Sequence, residues 1–252
     1  MLLIIDSGNT RTKWALVNSV GVMQAADSCM NTDLGTSKLP HAAQNASKVL
    51  IANVAGESVA QQIAQLVAPL DTYFVVAKQQ ACDVVNLYEQ ADKLGADRWA
   101  ALIAAWHLTK QAALVVNAGT AITIDCLAHG EQEDKAVFLG GTITPGLRLM
   151  QTALMHNTAQ LNVGNGVCTA FPINTQNAMQ TGCLNAAVGA IAVQMQQLQK
   201  RSDYPVKIII SGGDAAVILV ALQAHLNVTE KQVMIIENLV LQGLAILQKE
   251  II

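Results

Sequence analysis

Two segments of the chain repeat the same order of features, and this repeat limits the fold most strongly. LLIIDSGNTRTKWALV begins at Leu2, and ALVVNAGTAITIDCL begins at Ala113. Each segment has an apolar strand, a turn containing glycine, a threonine and a second strand. Helical patterns follow both segments. The repeat therefore predicts an α/β protein of two similar lobes that face each other across a cleft, with residues 1–111 in the first lobe and 112–252 in the second.

Hydrophobic periodicity predicts the elements of both lobes. Strands are predicted at 2–5, 12–17, 22–26, 49–52, 73–76, 112–116, 120–127, 207–211 and 233–236. Helices are predicted at 57–67, 97–108, 175–199, 214–225 and 237–249, and a further helix begins at Leu147. Residues 140–146 contain three glycines and are predicted to form a glycine-rich loop.

Composition argues against nucleic acid as the main partner and favours a small molecule. The net charge is −3 and basic residues form no cluster, although a phosphate backbone requires dense positive charge. Charged residues make up 13% of the chain, against roughly 25% in typical soluble domains. This low charge suggests an oligomer. The apolar runs are shorter than the ~18–20 residues of a membrane span, and no signal sequence is recognisable, so we expect a soluble, cytoplasmic protein.

The turn after the first strand has the composition of a phosphate-binding loop. Gly8 lets the backbone approach an anion closely, and Lys13 supplies a compact positive charge. Asp6 would orient Mg²⁺, directly or through water. The alternative is an ordinary hairpin turn with a solvated lysine. A Walker A loop is excluded because Gly-Lys-Ser/Thr is missing, and no GxGxxG dinucleotide fingerprint occurs.

The second turn, Asn117-Ala118-Gly119-Thr120-Ala121, has the same composition as the first. Its backbone amides and the Thr120 hydroxyl could bind phosphates from the second lobe. Two such turns, a lysine and a metal ion are sufficient for phosphoryl transfer, which depends mainly on positioning and charge neutralisation.

Gly95-Ala96-Asp97-Arg98 precedes an apolar helical pattern. It places a negatively charged aspartate next to a positively charged arginine. Asp97 could accept the proton of an attacking hydroxyl, and Arg98 could bind a substrate carboxylate with its bidentate guanidinium. The alternative is a simple capping arrangement at a helix start.

Taken together and in order, these motifs resemble those of the type III pantothenate kinases. DSGNTRTK is similar to the family's first phosphate motif, D-x-G-N-T-x-x-K. GADR resembles its pantothenate motif, NAGTA its second phosphate motif and GGTITPG its glycine-rich loop. Asn174-Thr175 and SGGDA, at 211–215, also match in position.

The resemblance implies a ribonuclease-H/actin-like fold and a homodimer that phosphorylates pantothenate with ATP, the first step of coenzyme A synthesis. It implies Asp97 as the general base, Mg²⁺ bound near Asp6, and a monovalent cation, K⁺ or NH₄⁺, at Asn117. The implied ATP-binding residues are Asp6, Ser7, Gly8, Asn9, Thr10, Arg11, Thr12, Lys13 and Thr120. The implied pantothenate-binding residues are Tyr88, Gly95, Ala96, Asp97, Arg98 and Thr175.

Asn117 departs from the family pattern, in which the second phosphate motif usually begins with Asp. An amide oxygen can coordinate K⁺ but lacks the negative charge of a carboxylate, so we expect weaker binding of a monovalent cation at this position.

Two other functions remain open at this stage. The glycine turns alone would also suit an actin-fold phosphotransferase or phosphatase that acts on a sugar, an acid or polyphosphate, although GADR with Tyr88 and Thr175 argues against it. The chain could also be an accessory or regulatory protein that keeps the fold but has lost catalysis. Intact Asp6, Lys13 and Asp97 favour the kinase.

Overall fold

The computed structural model describes residues 1–132, 134–156, 166–226 and 228–251. The strands are β1 (Leu2–Ser7), β2 (Arg11–Val17), β3 (Asp27–Met30), β4 (Lys48–Asn53), β5 (Asp71–Phe74), β6 (Gln80–Ala81), β7 (Val84–Asn86), β8 (Ala113–Ala118), β9 (Ala121–His129), β10 (Ala136–Pro145), β11 (Lys207–Ser211) and β12 (Val233–Ile235). The α-helices are α1 (Leu39–Ala43), α2 (Glu57–Val67), α3 (Ala96–Thr109), α4 (Leu147–His156), α5 (Thr175–Gln199), α6 (Ala215–His225) and α7 (Leu239–Ile251).

The chain forms two compact units. Unit 1 contains Met1–Lys110, His129–Gly140 and Asn238–Ile252, and unit 2 contains Gln111–Ala128 and Gly141–Glu237. These units do not follow the predicted single boundary after residue 111, because the C-terminal helix α7 packs on α3. At Gly243, an added Cβ would lie 1.9 Å from the Ala100 carbonyl oxygen, so only glycine permits this approach of the two helices.

Unit 1 is built on a five-stranded sheet with the order β3-β2-β1-β4-β5. The central strand β1 pairs antiparallel with β2 and parallel with β4. Residues 2–5 of β1 are buried, as expected for a continuous apolar run in the middle of a sheet. In the same unit, β7 pairs with β6 and, in parallel, with the first residues of β10.

Unit 2 repeats this topology. Its strands follow the order β10-β9-β8-β11-β12, and β8 pairs antiparallel with β9 and parallel with β11. In both units a hairpin is followed by a parallel strand, a helix and another parallel strand, with α2 between β4 and β5 and α6 between β11 and β12. The repeat predicted from the sequence is therefore confirmed as a repeat of the fold.

Two predicted elements are wrong. Residues 22–26 do not form a strand, and Met23 makes only an isolated bridge to Val17. This bridge follows a turn in which the Asn18 side chain accepts hydrogen bonds from the backbone N–H groups of Val20 and Val22. The predicted glycine-rich loop at 140–146 is largely strand β10, which continues to Pro145. The β-branched residues at 142–144 favour an extended backbone and outweigh the two preceding glycines.

The sequence analysis missed the short hairpin of β6 and β7. Its two turn residues, Cys82 and Asp83, have φ angles of 47° and 64°, as a tight two-residue hairpin requires. Neither is glycine or asparagine, so the usual signal for this turn is missing. In the part of the chain that the structure describes, no helix has the length and apolar character needed to span a bilayer.

Candidate active site

Strand alternation divides the first phosphate motif between two faces of the β1–β2 hairpin. Asp6 pairs with Lys13, and Ser7 pairs with Thr12. Successive residues of a strand point to opposite faces, so Asp6 and Lys13 share one face while Ser7 and Thr12 share the other. These four residues belong to one sequence motif, but the structure places them on two opposite faces of the hairpin.

Ser7 and Thr12 are completely buried, and their hydroxyls lie 3.4 Å apart. The Thr12 hydroxyl also donates a hydrogen bond of 2.9 Å to the Asn31 side chain. Their side chains therefore hold the hairpin together from within, and any contact of these two residues with a nucleotide would come from their backbone.

Asn31 fixes the turn of the hairpin and was missed by the sequence analysis. Its side-chain amide donates a 2.8 Å hydrogen bond to the Gly8 carbonyl oxygen, and its backbone N–H donates to the Thr10 carbonyl oxygen at 3.0 Å. Together with the bond from Thr12, these contacts connect β2 and the turn to one residue. Asn31 belongs to no recognisable motif, because its role arises only when β3 pairs with β2.

Asn9, Thr10 and Arg11 of this motif are exposed, whereas Asp6, Gly8 and Lys13 are half-buried. Asn9 and Thr10 form the tip of the turn, and Gly8 donates its N–H to the Arg11 carbonyl oxygen at 3.0 Å. The Arg11 guanidinium donates to the Ser28 hydroxyl on β3 at 2.9 Å. The tip thus presents backbone to solvent, while the Arg11 side chain is engaged with the edge strand.

The side chain of Asp6 has a strongly raised pKa. Burial, reinforced by the negative charge of Asp97, raises its pKa from 3.8 to about 7, although the positive charge of Lys13 partly opposes this rise. The Asp97 carboxylate therefore acts on Asp6 within unit 1, and the opposing charge of Lys13 is too weak to cancel the effects of burial and of this repulsion. Such a pair favours binding of a proton or a cation.

Asp97 is the second residue of α3, whose N-cap is Gly95. One of its carboxylate oxygens accepts the backbone N–H of the next residue, Arg98, at 2.7 Å, whereas the N-cap position itself has no side-chain hydrogen bond. An added Cβ on Gly95 would lie 2.7 Å from that oxygen, so glycine leaves room for the carboxylate. Burial raises the pKa of Asp97, outweighing the lowering by the Arg98 backbone N–H and charge. A higher pKa makes a carboxylate a stronger base.

Arg98 and Tyr88 are brought together in unit 1. Arg98 is buried, with 6% of its surface exposed, and its guanidinium donates a 3.3 Å hydrogen bond to the Tyr88 hydroxyl. The guanidinium carbon also lies 5.7 Å from the centre of the Tyr88 ring and 5.9 Å from that of Phe138. Phe138 was not identified from the sequence, because a single buried phenylalanine carries no motif.

In unit 2, three of the sequence motifs meet at the second phosphate turn. The backbone N–H of Gly146 donates to the Thr120 carbonyl oxygen at 2.9 Å. The backbone N–H of Asp214 donates to the Ala118 carbonyl oxygen at 3.1 Å. Gly212, with a φ of +103°, packs so closely that an added Cβ would lie 2.3 Å from the Ala118 oxygen. The turn that carries Asn117 and Thr120 is thus fixed by the backbone of the motifs GGTITPG and SGGDA.

Thr175 also lies in unit 2, as the first residue of α5, and it is exposed. The preceding Asn174 caps the helix by accepting the Asn177 backbone N–H at 2.9 Å. The helix therefore begins at Thr175 because asparagine is a favourable residue at the preceding N-cap position.

Comparison with known proteins decides the family. The model of the type III pantothenate kinase family matches residues 2–197. A type III pantothenate kinase from Methylobacillus flagellatus is 39% identical over 96% of both chains. Another from Nitrosospira multiformis is 36% identical and covers 99% of this chain and 92% of its own. The chain belongs to the type III pantothenate kinase family.

Solved structures agree with this family's two-lobed, actin-like α/β fold. A Campylobacter jejuni protein described as a Baf family transcriptional activator has a TM-score of 0.59 at 19% identity, with 98% of both chains covered. A 2-dehydro-3-deoxygalactonokinase from Sinorhizobium meliloti has a TM-score of 0.56 at 15% identity and 99% coverage of both chains. At such low identities these similarities concern the fold alone.

Pantothenate kinases of this family use ATP and a divalent metal. Among the described residues, no group of three or more His, Cys, Asp or Glu side chains could enclose a metal ion. Asp6 and Asp97 nevertheless supply two carboxylates in unit 1, with the positive charge of Lys13 acting on Asp6 and that of Arg98 on Asp97. Mg²⁺ typically binds one or two carboxylates, water and substrate phosphates, and this pair suits an ion that arrives with the nucleotide.

Proposed function

We propose that the chain transfers the γ-phosphoryl group of ATP to the primary hydroxyl of pantothenate, producing 4′-phosphopantothenate in the first step of coenzyme A synthesis. The observation that carries the proposal is the position of Asp97. Its buried carboxylate lies at the start of α3, close enough to Asp6 to raise the pKa of that residue, and next to Arg98 in the chain. A base, a phosphate hairpin and an anchor for an anionic substrate thus occur within one compact unit.

Asp97 acts as the general base. The pantothenate hydroxyl oxygen attacks the γ-phosphorus, the bond from that phosphorus to the β,γ-bridging oxygen breaks, and ADP leaves with the bonding electrons. The hydroxyl proton passes to the Asp97 carboxylate. Because the transition state of phosphoryl transfer is loose, the proton leaves late and a moderately strong base suffices.

The nucleotide is bound by the two turns. Lys13 neutralises phosphate charge, the turn at Gly8, Asn9 and Thr10 lies against the phosphates, and Thr120 contributes from the second turn. Asp6 would hold Mg²⁺, directly or through water, and the ion would supply positive charge beside the phosphates. Asn117 would coordinate K⁺ or NH₄⁺ through its amide oxygen.

Arg98 binds the carboxylate of pantothenate. Its guanidinium is held by Tyr88, so little conformational freedom is lost when the substrate binds. Tyr88 and Thr175 supply further hydrogen bonds to the substrate, and Gly95 and Ala96 line its site. We also propose that the enzyme is cytoplasmic and works as a homodimer, in line with its low content of charged residues.

The test is ADP release from ATP and Mg²⁺, with and without D-pantothenate, in buffers that contain K⁺, NH₄⁺ or only Na⁺. Release that depends on pantothenate and is faster in K⁺ or NH₄⁺ is the expected result. A folded protein that binds ATP but releases no ADP in response to pantothenate in any buffer would contradict the proposed function. Equal rates in all three buffers would contradict only the role of the monovalent cation.

A further inference from the structure

Asn86, at the end of β7, is a polar residue with no exposed surface. Its side-chain amide donates hydrogen bonds of 3.3 Å to the carbonyl oxygens of Lys78 and Ala91. Its side-chain oxygen accepts the backbone N–H of Tyr88 at 3.0 Å. One buried side chain thus connects three segments: Lys78 before β6, Tyr88 directly after β7, and Ala91 at the end of the loop that follows β7.

Most side chains of the loop that Asn86 holds are exposed. Leu87, Glu89 and Gln90 are exposed, and only Tyr88 among residues 87–90 is half-buried. Loops with exposed side chains and few packing contacts are mobile unless their backbone is bound. The hydrogen bond from Tyr88 to Asn86 therefore limits the freedom of the residue that contacts Arg98.

Phe138 completes the arrangement from the neighbouring strand. It lies opposite Asn86 in the pairing of β10 with β7, and its carbonyl oxygen accepts the Leu87 N–H at 3.2 Å. Its ring stacks on that of Tyr88, with the ring centres 5.8 Å apart and the planes inclined by 26°. Asn86 holds the backbone of Tyr88, and Phe138 holds its ring.

We infer that Asn86 is a positioning residue for substrate binding, which acts through Tyr88 and, through the Tyr88 hydroxyl, on the orientation of Arg98. The inference rests on the proposed function, in which Tyr88 and Arg98 bind pantothenate. Asn86 itself does not contact the substrate. Because an aligned guanidinium binds a carboxylate through two hydrogen bonds, a small displacement of Arg98 weakens substrate binding far more than nucleotide binding.

A double-mutant cycle tests this role. We expect Asn86→Ala to lower kcat/KM for pantothenate by about tenfold or more and to change the KM for ATP by less than about twofold. In a Tyr88→Ala background, the same substitution should change kcat/KM for pantothenate by less than about twofold, because the residue through which it acts is already gone. Asn45→Ala, at an exposed asparagine of the same unit, is the matched control.

Equal losses from Asn86→Ala in both backgrounds, or equal losses for pantothenate and ATP, would overturn the inference and indicate a merely structural role. Should Asn86→Ala fail to fold, Asn86→Ser serves instead, since its hydroxyl leaves a polar group in the buried site but cannot replace all three hydrogen bonds of Asn86. This variant should lower kcat/KM for pantothenate by about two- to tenfold and have no effect in the Tyr88→Ala background.

A wild-type protein without pantothenate-dependent turnover would contradict the proposed function but still leave a test of the positioning role. Crystal structures of the wild type and of Asn86→Ala would then be compared. Loss of the hydrogen bond between Arg98 and the Tyr88 hydroxyl in the variant would support the role of Asn86. An unchanged position of Tyr88 and Arg98 would overturn it.

Discussion

The negative charge of Asp97, at the start of α3, raises the pKa of Asp6 on β1. The two carboxylates are far apart in the sequence and come together because α3 and β1 belong to the same compact unit. Burial contributes the larger part of the change at Asp6 and also raises the pKa of Asp97. The pair therefore links the phosphate hairpin to the proposed base.

Substitution of Asp97 by Asn should abolish catalysis without loss of ATP binding. The amide keeps the shape of the side chain but cannot accept a proton, so we expect turnover to fall by about 10²- to 10⁴-fold. ADP release measures turnover, and calorimetric titration with ATP measures binding. Asp92→Asn, at an exposed residue just before α3, is the control. Turnover of Asp97→Asn at the wild-type level would rule out Asp97 as the base.

The contribution of Asp6 to the stability of the ligand-free protein should fall as the pH rises from about 4 to about 7. The pKa of this group is about 7 in the folded state and 3.8 ordinarily, so the folded state binds its proton more tightly. Its stabilising contribution is complete below the lower value and is lost as the pH approaches the higher one. The difference corresponds to at most on the order of 4 kcal/mol.

The substitution Asp6→Asn removes this titration. In urea unfolding without nucleotide or divalent metal, the variant should be more stable than the wild type at pH 8 and similar to it at pH 4. The variant should nevertheless be inactive. Asp71→Asn, at an exposed residue of β5, should show no such dependence. An equal stability difference at both pH values would refute the effect of Asp6.

Replacement of Gly243 by Ala should destabilise unit 1 by about 1–3 kcal/mol, because the new methyl group would collide with the backbone of Ala100. Gly189 is an exposed glycine in the middle of α5 with no atom near its missing Cβ. Gly189→Ala should therefore stabilise the protein by about 0.5–1 kcal/mol. Thermal unfolding compares the two variants, and similar Tm values would contradict the tight packing of α7 on α3.

Gly212 and Gly213 are neighbours in the chain but should respond differently to substitution by Ala. Gly212 has a positive φ and lies against the backbone of Ala118, whereas no atom lies within 4 Å of a Cβ at Gly213. We expect Gly212→Ala to lower the Tm and to raise the KM for ATP, because it displaces the turn that carries Thr120. Gly213→Ala should leave the Tm nearly unchanged. Equal Tm values for the two variants would count against this packing.

Asn117→Asp should reduce the K⁺ concentration that gives half-maximal turnover. A carboxylate adds a full negative charge to the oxygen ligand, which strengthens binding of a cation. The measurement is the rate of ADP release as a function of K⁺ at constant ionic strength. Asn45→Asp, at an exposed residue of unit 1, controls for the change in net charge. An unchanged K⁺ dependence would argue against a monovalent cation at this position.

Much of the fold was predictable because its signals are local. The boundaries of α2, α5 and β11 agree with the predicted ones, since apolar periodicity and an asparagine N-cap define them within a few residues. The predicted strand at 22–26 was wrong because its apolar pattern is weak, and only Met23 forms a bridge to β2. β6 and β7 were missed because their turn residues adopt positive φ angles without glycine.

The repeated topology, the family and the residue types of the candidate site were predictable from the amino-acid sequence, because strands, turns and motifs are short contiguous segments. Which of these residues contact one another depends on how distant segments pair in the folded chain. Strand alternation buried Thr12 on the opposite face from Lys13, pairing of β3 brought Asn31 to the first turn, and pairing of β10 brought Phe138 to Tyr88. Such contacts join distant segments, and their energies depend on burial and distance, which no local pattern specifies.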